Sequence, residues 1–178
     1  MVTDNTSTGF SASWVVSGLA RENALQVSYY DGGAAYGGTP SDKTIIDAIA
    51  AIRARGLKVM LYPFIMMDVP PEKTLPDPHG GTVQAPYPWL GRISCFPGPG
   101  QLGSADKTAA AGAQVEAFCG VAVAGDFAPS PEEGPTATIA FNGTAEEWSY
   151  RRFLLHFAHL PAAAGGVDTF LIGTELRG

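Results

Sequence analysis

Two carboxylates stand where a buried strand would hand them to solvent. Glu175 follows the apolar run Phe170-Leu171-Ile172 across Gly173-Thr174, and Asp68 follows the run Leu57 to Ile65. Consecutive apolar residues, not alternating with polar ones, suit a strand covered on both faces, as in a parallel sheet flanked by helices. In α/β folds the C-terminal ends of such strands are where chemistry is done, and carboxylates there can serve as general acids and bases. The plain alternative is that Glu175 opens a surface loop and that Asp68 caps the turn before Val69-Pro70. His156 and His159, three apart, offer metal ligation, but no third ligand stands at a matching spacing. A polar or partly solvated helix face is the expectation for them. Cys95 and Cys119 are far apart, neither is near a histidine in sequence, and both read as buried free thiols rather than a disulfide.

A helix feeding a strand must position each carboxylate. Ser41 is a plausible N-cap, with Asp42 in the first turn facing the positive end of the helix dipole. Ile45, Ile46, Ile49 and Ile52 recur at helical spacing, Arg53 and Arg55 suit the C-terminal turn, and Gly56 suits the residue just past it. This predicts a helix over 42–55. A strand over 58–63 follows, with Val59, Met60 and Leu61 buried and the ladder ending near Tyr62, because Pro63 has no N–H to donate. The second unit begins at Thr144-Ala145-Glu146-Glu147, a capping-box pattern. It predicts a helix over 145–164 with Tyr150, Phe153, Leu154, Phe157 and Leu160 on one face. Pro161 predicts a kink or an early end. Gly165-Gly166 close the helix, and a strand over 167–174 carries the chain to Glu175. Two αβ units across glycine breaks imply α/β organisation with parallel strands.

The rest of the chain is less regular. Residues 1–21 read as a ragged start, with short strands at Ser13–Ser17 and Leu25–Tyr30 and a turn at Asp31-Gly32-Gly33. Residues 70–103 form a long Pro/Gly loop, and such spans are often binding loops or lids. Within it Tyr87, Trp89 and Arg92 could line a sugar or peptide site, or Trp89 could simply pin the loop to the body. Residues 106–119 are Ala-rich and helical, capped by Ser104 or Asp106. Residues 127–142 read as a small β-hairpin inserted off the main body.

Composition bounds the function. The chain has 178 residues, 46% of them hydrophobic, which is enough for one domain with a real core. Eleven Lys and Arg against 17 Asp and Glu leave a net charge of −6, which argues against nonspecific nucleic-acid binding. No run approaches the ~20 apolar residues of a membrane span. No dinucleotide fingerprint, P-loop or Gly-x-Ser-x-Gly elbow is present, and no cofactor is expected.

Several ordered stretches carry a resemblance: Tyr36-Gly37-Gly38-Thr39-Pro40-Ser41-Asp42, Leu57 to Phe64 with Met67-Asp68-Val69-Pro70, Leu75-Pro76-Asp77-Pro78, Tyr87-Pro88-Trp89-Leu90-Gly91-Arg92-Ile93, Trp148 to Phe153, and Phe170 to Gly178. Over residues 14 to 178 the chain resembles the glycoside-hydrolase TIM-barrel-like domain of the baseplate or tail-hub proteins of gene transfer agents and related phage tails. The resemblance implies a partial (β/α) barrel spanning 1–178, its N-terminal part, since a full barrel takes ~250 residues. It implies that Glu175 is the acid/base after the fourth strand and that the nucleophile lies outside this chain. Asp68, Tyr62, Trp89 and Arg92 become candidate substrate contacts. The implied partners are a cell-envelope glycan as substrate or receptor, other tail proteins and the rest of the barrel, and the implied setting is a tail particle whose parts are made in the cytoplasm. A structural or receptor-binding module without turnover would keep the same barrel.

Overall fold

A computed structural model describes residues 2–4, 13–14, 29–30, 33–34, 42–63, 66–68, 82, 95, 97–129, 139–144, 147 and 149–173; the first four short segments and 66–68 enter by their backbone pairing alone. The elements in chain order are β1 (Val2–Asp4), β2 (Ser13–Trp14), β3 (Tyr29–Tyr30), β4 (Gly33–Ala34), α1 (Asp42–Arg53), β5 (Met60–Leu61), β6 (Met66–Asp68), α2 (Ala109–Cys119), β7 (Phe127–Pro129), β8 (Ile139–Phe141), α3 (Tyr150–Ala163) and β9 (Thr169–Phe170). This is α/β organisation, and two of its pairings are parallel. β5 runs alongside β9, with Met60 opposite Thr169 and Leu61 opposite Phe170. β6 runs alongside β1, with Asp4 opposite Asp68. The stretch from Met60 to Asp68 therefore takes one parallel neighbour through its first part and another through its last. β1–β2, β3–β4 and β7–β8 are antiparallel. Tyr30 pairs with Gly33; Asp31 and Gly32 of the expected turn lie outside the described residues.

α1 begins at Asp42 as expected but ends at Arg53, two residues short of the predicted end, with residues 54–56 in a turn. Ile49 is 3% exposed, and Ile45 and Ile46 pack on the core from the same face. Ile52 reaches the last turn, where cover runs out, and is 37% exposed. On the solvent side Lys43 pairs with Asp47 one turn on, a contact worth only ~0.3–0.5 kcal/mol. The Arg55 guanidinium donates to the Ala51 carbonyl at 2.6 Å, and Gly56 turns the chain at φ +71°, a conformation that costs glycine nothing.

The core gathers Ala122, Phe127, Ile139, Phe153, Phe157 and Leu160, with Ile45, Ile46, Phe141, Leu154, Leu155 and Phe170 around them. The β7–β8 hairpin is thus where the sequence places it, but it does not stand off the body. Its inward residues Phe127 and Ile139 are 7% and 5% exposed against α3. Burying each is worth ~2–3 kcal/mol of hydrophobic free energy, which holds the hairpin down.

α3 has the expected apolar face but a different start. The helix begins at Tyr150, and its N-cap is Ser149, whose Oγ accepts the Arg152 N–H at 3.1 Å. Thr144 and Glu147 lie before the helix, so they do not form its capping box. Pro161 does not end α3, which runs on to Ala163. It sits in the last turn, where it forfeits the one bond its N–H would make to the Phe157 carbonyl, and its ring is buried. Gly165 and Gly166, at φ +86° and +100°, then close the helix as expected. α2 is capped by neither Ser104 nor Asp106: Thr108 is its N-cap residue, and Ser104 Oγ instead accepts the Asp106 N–H at 3.1 Å. Described residues 97–103 of the long loop hold turns and no helix or strand.

Candidate functional site: the C-terminal rim of the parallel strand pair

The β5–β9 pair is fastened at its beginning. The Asp168 carboxylate accepts the Val59 N–H at 2.8 Å, while the Asp168 and Thr169 N–H groups donate to the Val59 carbonyl at 2.9 and 3.2 Å. The next rung is Leu171 N–H to the Leu61 carbonyl at 3.0 Å. Residues 59 and 61 thus face β9, and the next on that edge is 63. Pro63 has no N–H, so the ladder stops where the sequence says it should. Both strands run the same way, and the residues just past them leave at one end.

Register partners in a parallel pair share a face, and the two faces here differ. Leu61 and Phe170 are half-buried, with Phe170 on the core. Met60, 62% exposed, and Thr169, also exposed, form the other face. The expectation that β5 and β9 are buried on both faces is therefore corrected: helices cover one face only. Ile172, 67% exposed, lies past the last rung and outside that cover.

Aromatic residues ring the exit. Tyr150, the first residue of α3, stacks on Phe118 from the end of α2 at 5.1 Å and 19°, and approaches Phe153 at 6.2 Å and 26°. Its hydroxyl donates to the Ile172 carbonyl. Burial pushes the Tyr150 phenol above its ordinary value, and the neighbouring Cys119 thiol and Tyr62 phenol push it further, since their anions would oppose its own. The Tyr150 hydroxyl therefore remains a donor through the neutral range.

Of the residues singled out in the sequence, Tyr62 stands at this rim, 37% exposed. Asp68, expected past the end of the strand over 58–63, is instead the last residue of a separate strand, β6, which pairs in parallel with β1 and places Asp68 opposite Asp4. Trp89, Arg92 and Glu175 lie outside the described residues, as do Tyr87 and Ser41. The two histidines part company. His159 Nδ1 donates to the Leu155 carbonyl at 2.7 Å and its ring stacks on Phe127. His156 is buried, 4% exposed, with Nε2 2.9 Å from Asp42 Oδ1. Among the described residues no three of His, Cys, Asp and Glu gather as a metal group, and no helix is long and apolar enough to cross a membrane.

Two arrangements were missed by sequence reasoning. The first is this Asp42–His156 contact, whose other carboxylate oxygen accepts the Ile139 N–H at 3.0 Å. Asp42, expected at an open helix end, is fully buried. The second is a clip beneath the rim. Glu147 Oε1 accepts the N–H groups of Val121 and Ala122 at 2.7 and 2.8 Å and the Ser149 hydroxyl at 2.8 Å. Gly120, at φ +70°, lies against Ser149 and Glu147, so closely that a Cβ there would collide with both. Arg152 joins through a 2.7 Å bond to the Glu147 carbonyl and lies 3.9 Å over the Phe141 ring. The capping-box spelling had assigned Glu147 to a helix; the acceptor's real donors lie 25 and 26 residues away.

Burial pushes the Glu147 carboxyl upward, but the Ser149 hydroxyl, the Ala122 and Val121 N–H groups and the Arg152 charge outweigh it, so its pKa lies below the ordinary value. A lowered native pKa means that the stability it contributes is full above the unfolded value, about 4.3, and is lost as pH falls through the lower native one. In an acid titration followed by NMR, the Val121 and Ala122 amides are expected to shift together with a midpoint below pH ~4.3. Glu147→Gln is expected to flatten that transition.

Residues 148–178 match the family model described as the GTA TIM-barrel-like domain. The matched segment takes in α3, β9 and the residues that follow them, including Glu175, and agrees with the resemblance read from the sequence. No curated protein matches the chain.

Proposed function

With the likeness of residues 148–178 to the gene-transfer-agent TIM-barrel-like domain as premise, we propose that this chain is part of a glycoside-hydrolase-like (β/α) barrel in the baseplate of a gene transfer agent or phage tail. Its substrate or receptor is a cell-envelope glycan, peptidoglycan or polysaccharide. The single observation that carries the reading is the in-register parallel pairing of β5 with β9. The residues just past β5 and just past β9 leave that pair at one end, the end at which barrel enzymes assemble their sites, and this supports a rim to which Asp68 and Glu175 belong. The uncovered face of that pair, with Met60 on it, further suits a barrel interior, which side chains from additional strands would fill.

In this reading Glu175 protonates the leaving glycosidic oxygen as general acid. The second carboxylate comes from outside the chain, ~5 Å away for retention of configuration or ~6.5–9.5 Å for inversion. Tyr62 offers a ring and a hydroxyl at the rim, and Asp68, Trp89 and Arg92 supply further sugar contacts. Partners are the glycan, the rest of the barrel and neighbouring tail proteins. The test is glycan cleavage by the intact protein and its Glu175→Gln variant. Loss of cleavage with retained binding is the expected result. Unchanged cleavage removes Glu175 from the chemistry, and binding without any cleavage by the parent protein assigns the barrel to reception rather than turnover.

A further inference from the structure

We infer that Tyr150 is a positioning residue for the rim: its hydroxyl holds the Ile172 carbonyl and so sets how the chain leaves β9, three residues before Glu175. For its catalytic consequence the inference rests on the role proposed for Glu175; for the latch itself it rests on geometry alone.

The geometry has three parts. Pro63 ends the backbone ladder, so the last rung on that edge is made by Leu171. One residue later, the Tyr150 hydroxyl donates to the Ile172 carbonyl. That hydroxyl is itself well held. Its ring stacks on Phe118 and lies beside Phe153, which is 2% exposed in the core. Its backbone opens a helix whose N-cap, Ser149, is buried and bonded to both Arg152 and Glu147. A side chain anchored at both ends is what keeps a group just past a strand from drifting, and a drift of ~1 Å at a reacting group can cost ~100-fold in rate.

Tyr150→Phe in the intact protein removes the hydroxyl and keeps the ring. Amide exchange at Leu171, whose N–H makes the last rung to the Leu61 carbonyl beside the latch, is expected to rise about five- to tenfold, the loss of one ordinary hydrogen bond, while the amides of α3 hold their protection. In glycan cleavage kcat is expected to fall at least tenfold with KM little changed, a split that loosened packing alone does not produce. Unchanged exchange at Leu171 overturns the latch whatever the activity. Raised exchange with unchanged kcat overturns its catalytic role. If the parent protein cleaves no glycan, the reading of Glu175 falls, and the exchange measurement still decides whether Tyr150 holds the chain.

Discussion

Asp42→Ala is expected to destabilise the fold by about 3–5 kcal/mol, the cost of breaking a buried pair by removing one partner. Asp42 opens α1, is fully buried, and joins three elements: Oδ1 meets His156 of α3 at 2.9 Å, and Oδ2 accepts the Ile139 N–H of β8 at 3.0 Å. Alanine leaves the imidazole and the amide facing a void. Each unsatisfied buried group costs ~1–3 kcal/mol, and the side chain beside the first-turn N–H groups of α1 is lost as well. Against a total stability of about 5–15 kcal/mol, the change consumes a large share. Urea unfolding checks it: the midpoint should fall with the slope unchanged. Asp42→Asn keeps one oxygen acceptor and should cost less. An alanine variant as stable as the parent would mean that the pair holds nothing together.

Phe153→Ala is expected to cost about 3–5 kcal/mol as well, by a different route. Phe153 is 2% exposed, meets Phe157 edge-on at 5.0 Å and 64°, and lies beside Tyr150. Its loss opens a void between α3 and the β7–β8 hairpin that neighbours on rigid elements cannot fill. Val115→Ala gives the contrast. Val115 is 61% exposed on α2, and its truncation should stay within ~0.5 kcal/mol. Thermal unfolding of both variants checks the pair, and equal shifts would mean that the core assignment around α3 is wrong.

What could be read in advance follows from how far each signal reaches along the chain. α1 was legible because four isoleucines at helical spacing and a closing glycine are local facts. The apolar face of α3 was legible for the same reason, and so was the end of the β5 ladder, since Pro63 lacks a donor whatever surrounds it. The parallel direction of β5 and β9 followed from a helix preceding each strand. Contacts between distant residues left no such trace. Nothing near His156 shows that its partner is Asp42, 114 residues earlier, so it read as part of a polar helix face. Glu147 was misplaced because Thr-x-x-Glu spells a capping box in one dimension, whereas three donors across a turn outbid the helix in three. Met60 was taken for a buried residue because an apolar run does not say which of its two faces will be covered. The candidate site was legible only in part. Tyr62 falls at the rim, and Asp68 at a parallel strand end, but Tyr150 was read as core alone and its hydroxyl carried no pattern.

The tie between Asp42 and His156 also bears on how the protein is made. At about 5–20 residues per second, synthesis delivers His156 roughly 6–23 s after Asp42, given the 114 positions between them. Over that interval the nascent α1 has a carboxylate at its head with no imidazole to meet and an isoleucine face with no α3 to rest on. Its early companions are the ribosome surface and whatever chaperone shields apolar chain ends, so α1, though made early, is among the last of the described elements to settle.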